Sequence, residues 1–232
     1  MDKASVLALL EANQNQRGID NWQEMFPDSP YSSFGIGLTV LRKLAKQVGK
    51  DHDLAMDLWA SDCYDMKVIG VLIDDPKLIT TEQMESQVED LDFGMMVHVY
   101  SACGAPVAKT KFIDEMASKW VESDDPVRRR CAYGFVYELS KSTKKAAPDE
   151  TYFMSFINQI EGSYKDEDSS VHLSMGGALM GIGKRSVVLN QAALKVANQI
   201  GPIAVNSGKT QCDPMDISKH LTSDYLKKKL GL

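Results

Sequence analysis

The sequence is poor in cysteine. Its four thiols, Cys63, Cys103, Cys131 and Cys212, stand 40, 28 and 81 positions apart, a spacing that builds neither a C-x-x-C ligand pair nor a dense disulfide framework. Reduced core thiols are expected. Histidine is as sparse, and none of His52, His98, His172 and His220 has a partner four positions away that would put two imidazoles on one helix face. No metal site and no cofactor are expected. Apolar runs are short too: none approaches the about 20 residues that span a bilayer, which excludes a transmembrane helix. The start, Met1-Asp2-Lys3-Ala4, leads into an amphipathic stretch that carries Glu11 and lacks the basic and then uninterrupted apolar regions of a secretory signal. A cytoplasmic protein with no membrane partner is expected.

What the chain has is helical periodicity. Its 232 residues are 44% hydrophobic and 25% charged, within the range of a globular protein with a real core, and period-two alternation is hard to find. Leu38, Leu41, Leu44, Ala45 and Val48 form one stripe ending at Gly49; Leu54, Leu58 and Trp59 form the next, opened by Asp51. Thr80 with Gln83 has the spacing of a capping box, and Asp125-Pro126 sets an N-cap before a first-turn proline. Three blocks, Leu54 to Ile73, Phe112 to Leu139 and Phe153 to Ile182, share one plan of helix, short polar or acidic break and second helix. Break-to-break lengths fall in the range of paired-helix repeats. The expected fold is all-α, a solenoid of HEAT-like antiparallel helix pairs whose second helices line a concave face. We expect one domain over 1–232, with a repeat core at about 31–201 and a C-terminal loop and helix over 202–232. The polar stretch Gly18 to Pro30 reads as a linker after a first helix.

Net charge is −6, yet it is unevenly spread. Residues 1–100 hold 8 basic and 17 acidic side chains, whereas residues 101–232 hold 18 basic and 15 acidic. The later basic residues cluster as Arg128-Arg129-Arg130, Lys141 with Lys144-Lys145, Lys184-Arg185, and Lys227-Lys228-Lys229. Such clusters suit either a phosphate-binding stripe or solvated helix faces. Other motifs fail on spacing. Gly208-Lys209-Thr210 ends like a phosphate-binding loop, but the required glycine five positions earlier is Ile203. Gly176-Gly177, Gly181 and Gly183 follow no strand, and close helix packing explains them better than a phosphate cradle. His98, near Met95, Met96 and Tyr100 on an expected helix, reads as a packed or hydrogen-bonded residue rather than a catalyst.

Several segments together carry a resemblance. Ser33-Phe34-Gly35-Ile36-Gly37, Leu41-Arg42-Lys43-Leu44-Ala45, Leu54-Ala55-Met56-Asp57-Leu58-Trp59 and Val71-Leu72-Ile73-Asp74-Asp75-Pro76 occur in that order, followed by Lys119-Trp120-Val121-Glu122-Ser123-Asp124 and Arg130. Over about 31–201 the chain resembles the DNA alkylation repair family, the AlkD-like HEAT-repeat DNA glycosylases. The resemblance implies a C-shaped helical stack holding duplex DNA on a basic concave face, and, in active members, removal of N-alkylated purines such as 3-methyladenine and 7-methylguanine.

Alkylation at a ring nitrogen makes the base a good leaving group, so a general acid is dispensable and the remaining task is to stabilise positive charge on the sugar. The family does this with a Trp and an Asp four residues later, an Arg on the next second helix and a further Trp. Here Arg130 matches the arginine, Phe93 and Val97 fall on the Trp and Asp positions, and Gly177 falls on or next to the second Trp. A one-residue slip offers Asp92 as an alternative carboxylate. The resemblance therefore implies a protein that binds alkylated or distorted duplex DNA through Arg128, Arg129, Arg130, Lys184 and Arg185, with glycosylase activity weak, altered or absent. An active glycosylase using Asp92 is the enzymatic alternative, and a protein-binding scaffold, favoured by the acidic total, is the third. A monomer is expected.

Overall fold

The computed structural model describes residues 1–144, 147–205 and 213–232; Lys145, the Gly208-Lys209-Thr210 motif and Cys212 lie outside the described residues. Among those described there are fourteen α-helices and two 3-10 turns, and pairing of extended backbone is limited to the isolated bridges Ser32–Cys63 and Ile203–Met215. The chain divides into two compact units, Met1–Thr110 and Lys111–Leu232.

The first unit holds α1 (Lys3–Glu11), α2 (Gln16–Met25), α3 (Leu38–Val48), α4 (His52–Trp59), α5 (Tyr64–Ile73), α6 (Thr81–Gln87) and α7 (Met96–Ala102), with 3-10 turns at Val88–Asp90 and Pro106–Lys109. Its centre is α5, which packs on α3, α4 and α7 and is buried on nearly every side. Two buried carboxylates tie the surrounding loops to it. Asp65 accepts hydrogen bonds from Ser33 Oγ (2.8 Å), Phe34 N (2.8 Å) and Ile36 N (3.3 Å). Burial nonetheless raises its pKa, because desolvation outweighs those bonds. Asp74, at the end of α5, accepts from Gln83 Nε2 (2.7 Å), meets His52 Nδ1 at 2.6 Å and takes its neighbour's amide, Asp75 N (2.7 Å). The start of α4, the end of α5 and α6 are thereby held on one side chain.

One sequence expectation fails in this unit and another is met in part. The linker expected over 18–30 instead carries most of α2, which starts at Asn15, whose side chain accepts from Gly18 N. Trp22 anchors it by meeting the Phe26 (4.7 Å) and Tyr64 (4.5 Å) rings in tilted contacts and donating its indole N–H to Tyr31 O. Glycine is required where this helix crosses the 33–37 loop, because a Cβ at Gly18 would collide with the Gly35 carbonyl. The capping box at Thr80 is half made: Thr80 Oγ1 accepts from Gln83 N, but the Gln83 amide is spent on Asp74.

The second unit is the regular one. It holds α8 (Ile113–Trp120), α9 (Pro126–Ser140), α10 (Glu150–Ser163), α11 (Ser169–Ile182) and α12 (Val187–Ile200), then two short helices where one was expected, α13 (Ile217–Leu221) and α14 (Asp224–Leu230). The acidic breaks act as caps. Asp125, Asp149 and Asp168 each accept a backbone N–H of the helix they open, worth about 1 kcal/mol apiece. First helices form one row: Tyr152 OH and Gln159 Nε2 of α10 donate to Asp114 O and Glu122 Oε1 beside α8, and Glu161 of α10 pairs with Lys195 of α12 at 2.7 Å. Second helices form another, with α11 packed between α9 and α13. Between the rows lie fully buried aromatics such as Trp120, Phe135 and Phe153, each contributing about 2–3 kcal/mol through burial.

The glycines of α11 show why α9 lies so close. A Cβ at Gly181 would collide with Ser140 Oγ and stand 2.9 Å from the Tyr137 ring, whereas one at Gly177 would meet nothing within 4 Å. Gly176 and Gly183 likewise abut side chains of the C-terminal segment. Close packing is thus the role of three of the four glycines. Gly181→Ala is expected to lower stability by about 1–3 kcal/mol in denaturant unfolding, while Gly177→Ala is neutral or gains up to about 1 kcal/mol from helix propensity.

Candidate nucleic-acid interface

The residues expected at the site fall in both units. In the first, Phe93 is half-buried and meets the Tyr31 ring edge-on at 5.2 Å, and Asp92 is exposed. Val97 is only 3% exposed on α7, in a helix whose Met96, Val99 and Tyr100 are buried with it, and its carbonyl accepts from Ser101 Oγ. The position that the resemblance gives to a carboxylate is a core position here. Nearby, Lys67 is buried, donates to Trp59 O (2.7 Å), lies 3.4 Å from Asp90 Oδ2 and sits over the Tyr31 and Trp59 rings at 4.8 and 4.5 Å. Sequence reasoning missed this lysine, because its partners come from three separate segments.

In the second unit the three arginines opening α9 have different surroundings. Arg128 pairs with Asp125 at 2.9 Å. Arg129 grips Glu167 with two nitrogens, Nε to Oε2 at 2.9 Å and Nη2 to Oε1 at 2.6 Å, while Nη1 donates to Ser123 O at 2.6 Å. Glu167 holds this guanidinium pKa still higher than usual and also accepts the Asp168 amide at the start of α11. Arg129 therefore joins the openings of α9 and α11. Arg130 is half-buried on the same turn. Its charge and that of Arg128 pull on the Cys131 thiol, although burial dominates and drives that pKa up, leaving a protonated core sulfur. Among the described residues, Cys63, Cys103 and Cys131 form no disulfide.

The opposite ends of the same two helices form a cavity of about 530 Å³. Since Arg129 meets Glu167 at the openings and Tyr137 and Ser140 meet Gly181 at the ends, α9 and α11 run parallel. Their carboxyl ends lie side by side. Lys141, Lys184, Arg185 and Lys229 line this cavity with the hydroxyl residues Ser142 and Thr143. Arg185 Nη1 donates to Ser140 O (2.8 Å) and Ser142 O (2.9 Å), with the guanidinium carbon 4.4 Å from the centre of the buried Phe153 ring. Lys229 Nζ donates to Lys184 O at 3.1 Å. Lys141 pairs with Glu138 at 2.7 Å and lies on the Tyr137 ring. Three basic clusters, up to about ninety positions apart in sequence, thus share one cavity. Gly177 lies one turn before Gly181 on α11, facing open space.

The family model of the DNA alkylation repair enzyme matches residues 6–207. The chain belongs to the DNA alkylation repair enzyme family. Two relatives share 24% identity over 204 residues, with 84% of each chain covered: the uncharacterized proteins Lin0241 of Listeria innocua and Lmo0209 of Listeria monocytogenes. A solved structure described as a new family of proteins related to the HEAT-like repeat DNA glycosylases, with affinity for branched DNA structures, superposes with a TM-score of 0.79. It is 19% identical and covers 100% of this chain and 97% of its own. The all-α fold of HEAT-like helix pairs is therefore that of this DNA alkylation repair family member as well. No described helix is long and apolar enough to cross a membrane, and no described group of three or more His, Cys, Asp or Glu residues is placed to hold a metal ion.

Arg129 and Glu167 have side chains only 18% and 7% exposed, so their pairing is more than a surface contact. Arg129→Ala is expected to cost about 1–3 kcal/mol in thermal or denaturant unfolding, from the stranded Glu167 and the lost clasp. Arg129→Lys, unable to make the two-nitrogen grip, should recover only part of that loss.

Proposed function

We propose that this family member binds DNA through the cationic side of its second unit and excises alkylated bases weakly or not at all. The observation that carries the reading is the convergence of Lys141, Lys184, Arg185 and Lys229 on one cavity at the end of the helix that Arg130 opens. Arg130 on α9 and Lys141 just past its end are eleven residues apart, about 16 Å along the axis, a span that covers several phosphates of one backbone. Arg128 and Lys184 extend this surface; Arg129, matched by Glu167, holds it in shape, and Arg185, bonded to backbone carbonyls, does so while adding positive potential. Affinity of the structural relative for branched DNA supports distorted or branched duplexes over plain ones as ligands. Muted excision is supported by Val97, since an aliphatic side chain can neither stabilise an oxocarbenium charge nor orient water. A glycosylase acting through Asp92 is the second reading, favoured by the exposure of that carboxylate one residue before Phe93. The whole chain is taken to act as one monomeric domain in the cytoplasm.

Fluorescence anisotropy with a four-way junction and a duplex of equal length tests the binding. The junction should bind more tightly, and affinity for both should fall steeply between 50 and 200 mM salt, by ~10-fold or more for several phosphate contacts. Arg130→Gln and Lys184→Gln should each weaken binding about three- to tenfold. No binding at low salt removes the reading. Incubation with methylated DNA should release little base; clear release that disappears in Asp92→Asn establishes the glycosylase instead.

A further inference from the structure

We infer that the cavity at the ends of α9 and α11 takes a phosphate monoester, namely the terminal phosphate of a DNA strand. The inference rests on the DNA-binding reading above and specifies which part of a DNA molecule that surface seeks.

The first ground is charge. Of the four described cations at the cavity, Lys141 is matched by Glu138, whereas the bonds of Arg185 and Lys229 go to backbone carbonyls and no described carboxylate pairs with them. With Lys184, that makes three cations facing one space. A phosphodiester within a strand brings one negative charge and two non-bridging oxygens. A terminal phosphate brings a charge near −2 at neutral pH and three acceptor oxygens. Three such cations suit the second.

The second ground is preorganisation. Both carbonyl bonds of Arg185 leave from a single nitrogen, Nη1, and the Phe153 ring supports the guanidinium plane, so the N–H groups of Nε and Nη2 are held in a fixed direction outside those bonds. A planar, fixed pair of donors matches phosphate oxygens. Ser142 and Thr143 supply hydroxyls on the loop that Arg185 holds.

The third ground concerns what the cavity lacks for other anions. Its aromatic surfaces are occupied, Tyr137 by Lys141 and Phe153 by Arg185. A nucleobase would find no open ring on which to stack, so the group recognised is the phosphate itself.

The test uses the full chain and a gapped duplex whose ends at the gap carry a 5′-phosphate, a 3′-phosphate or hydroxyls only, compared by anisotropy at one salt concentration. At least one phosphorylated form should bind about tenfold or more tightly than the hydroxyl form, as expected for one added charged hydrogen bond or more. In Lys229→Gln, which changes a side chain at the rim, affinity for every form should fall, but the ratio between the phosphorylated and hydroxyl forms should itself shrink several-fold. Equal affinity for all three forms overturns the inference and leaves the DNA-binding reading standing. Failure to bind any of them overturns both. A third arm adds inorganic phosphate: if it raises the melting temperature of the unaltered protein but not of Lys229→Gln, while DNA ends are not discriminated, the cavity serves free phosphate and the assignment to a strand end is overturned.

Discussion

The close parallel approach of α9 and α11 is the constraint from which the second unit follows. A side chain at Gly181 would press on Ser140 and Tyr137 and hold the helices apart, and once they touch there, both pairs of ends are brought into register. At the openings Arg129 reaches Glu167. At the far ends Arg185, just past α11, reaches the last carbonyl of α9, that of Ser140, and the Ser142 carbonyl beyond it. A larger residue at 181 would act on all three contacts together, because a packed helix pair shifts as a body and not atom by atom.

In the first unit the same work is done by buried carboxylates. The segments that carry the family resemblance turn out to be architectural: Phe34-Gly35-Ile36 presents its amides to Asp65, Ile73-Asp74-Asp75 closes on His52 and Gln83, and Trp59 covers Lys67. Each of these polar groups is buried only because its hydrogen-bonding capacity is met locally. Without such motifs, the loops they hold would come loose. They identify the fold without specifying the chemistry carried on it.

Legibility in the sequence tracks how local each cause is. Paired helices, acidic caps at Asp125 and Asp168, and packing glycines in α11 were readable because cap spacing and periodicity are written within a few residues. The helix over Gln16–Met25 was not, since no residue in it is fully buried and its apolar contacts are made by Trp22 toward Tyr64, more than forty positions away. Basic clusters were visible as composition, but their division of labour was not. Nothing near Arg129 in sequence announces Glu167, and nothing near Lys184 announces Lys229.

The carbonyl bonds of Arg185 and Lys229 have an electrostatic consequence. Two parallel helices that finish at the same place present the negative ends of two macrodipoles, each near half an elementary charge. Left bare, that spot would repel an anion. Arg185 donates to the Ser140 carbonyl that ends α9 and to Ser142 beyond it, and Lys229 donates to Lys184 just past α11, so two cations stand against those negative ends. Neutralising either residue would therefore do more than subtract one unit of attraction: it would uncover the repulsive helix terminus that the cation had been masking.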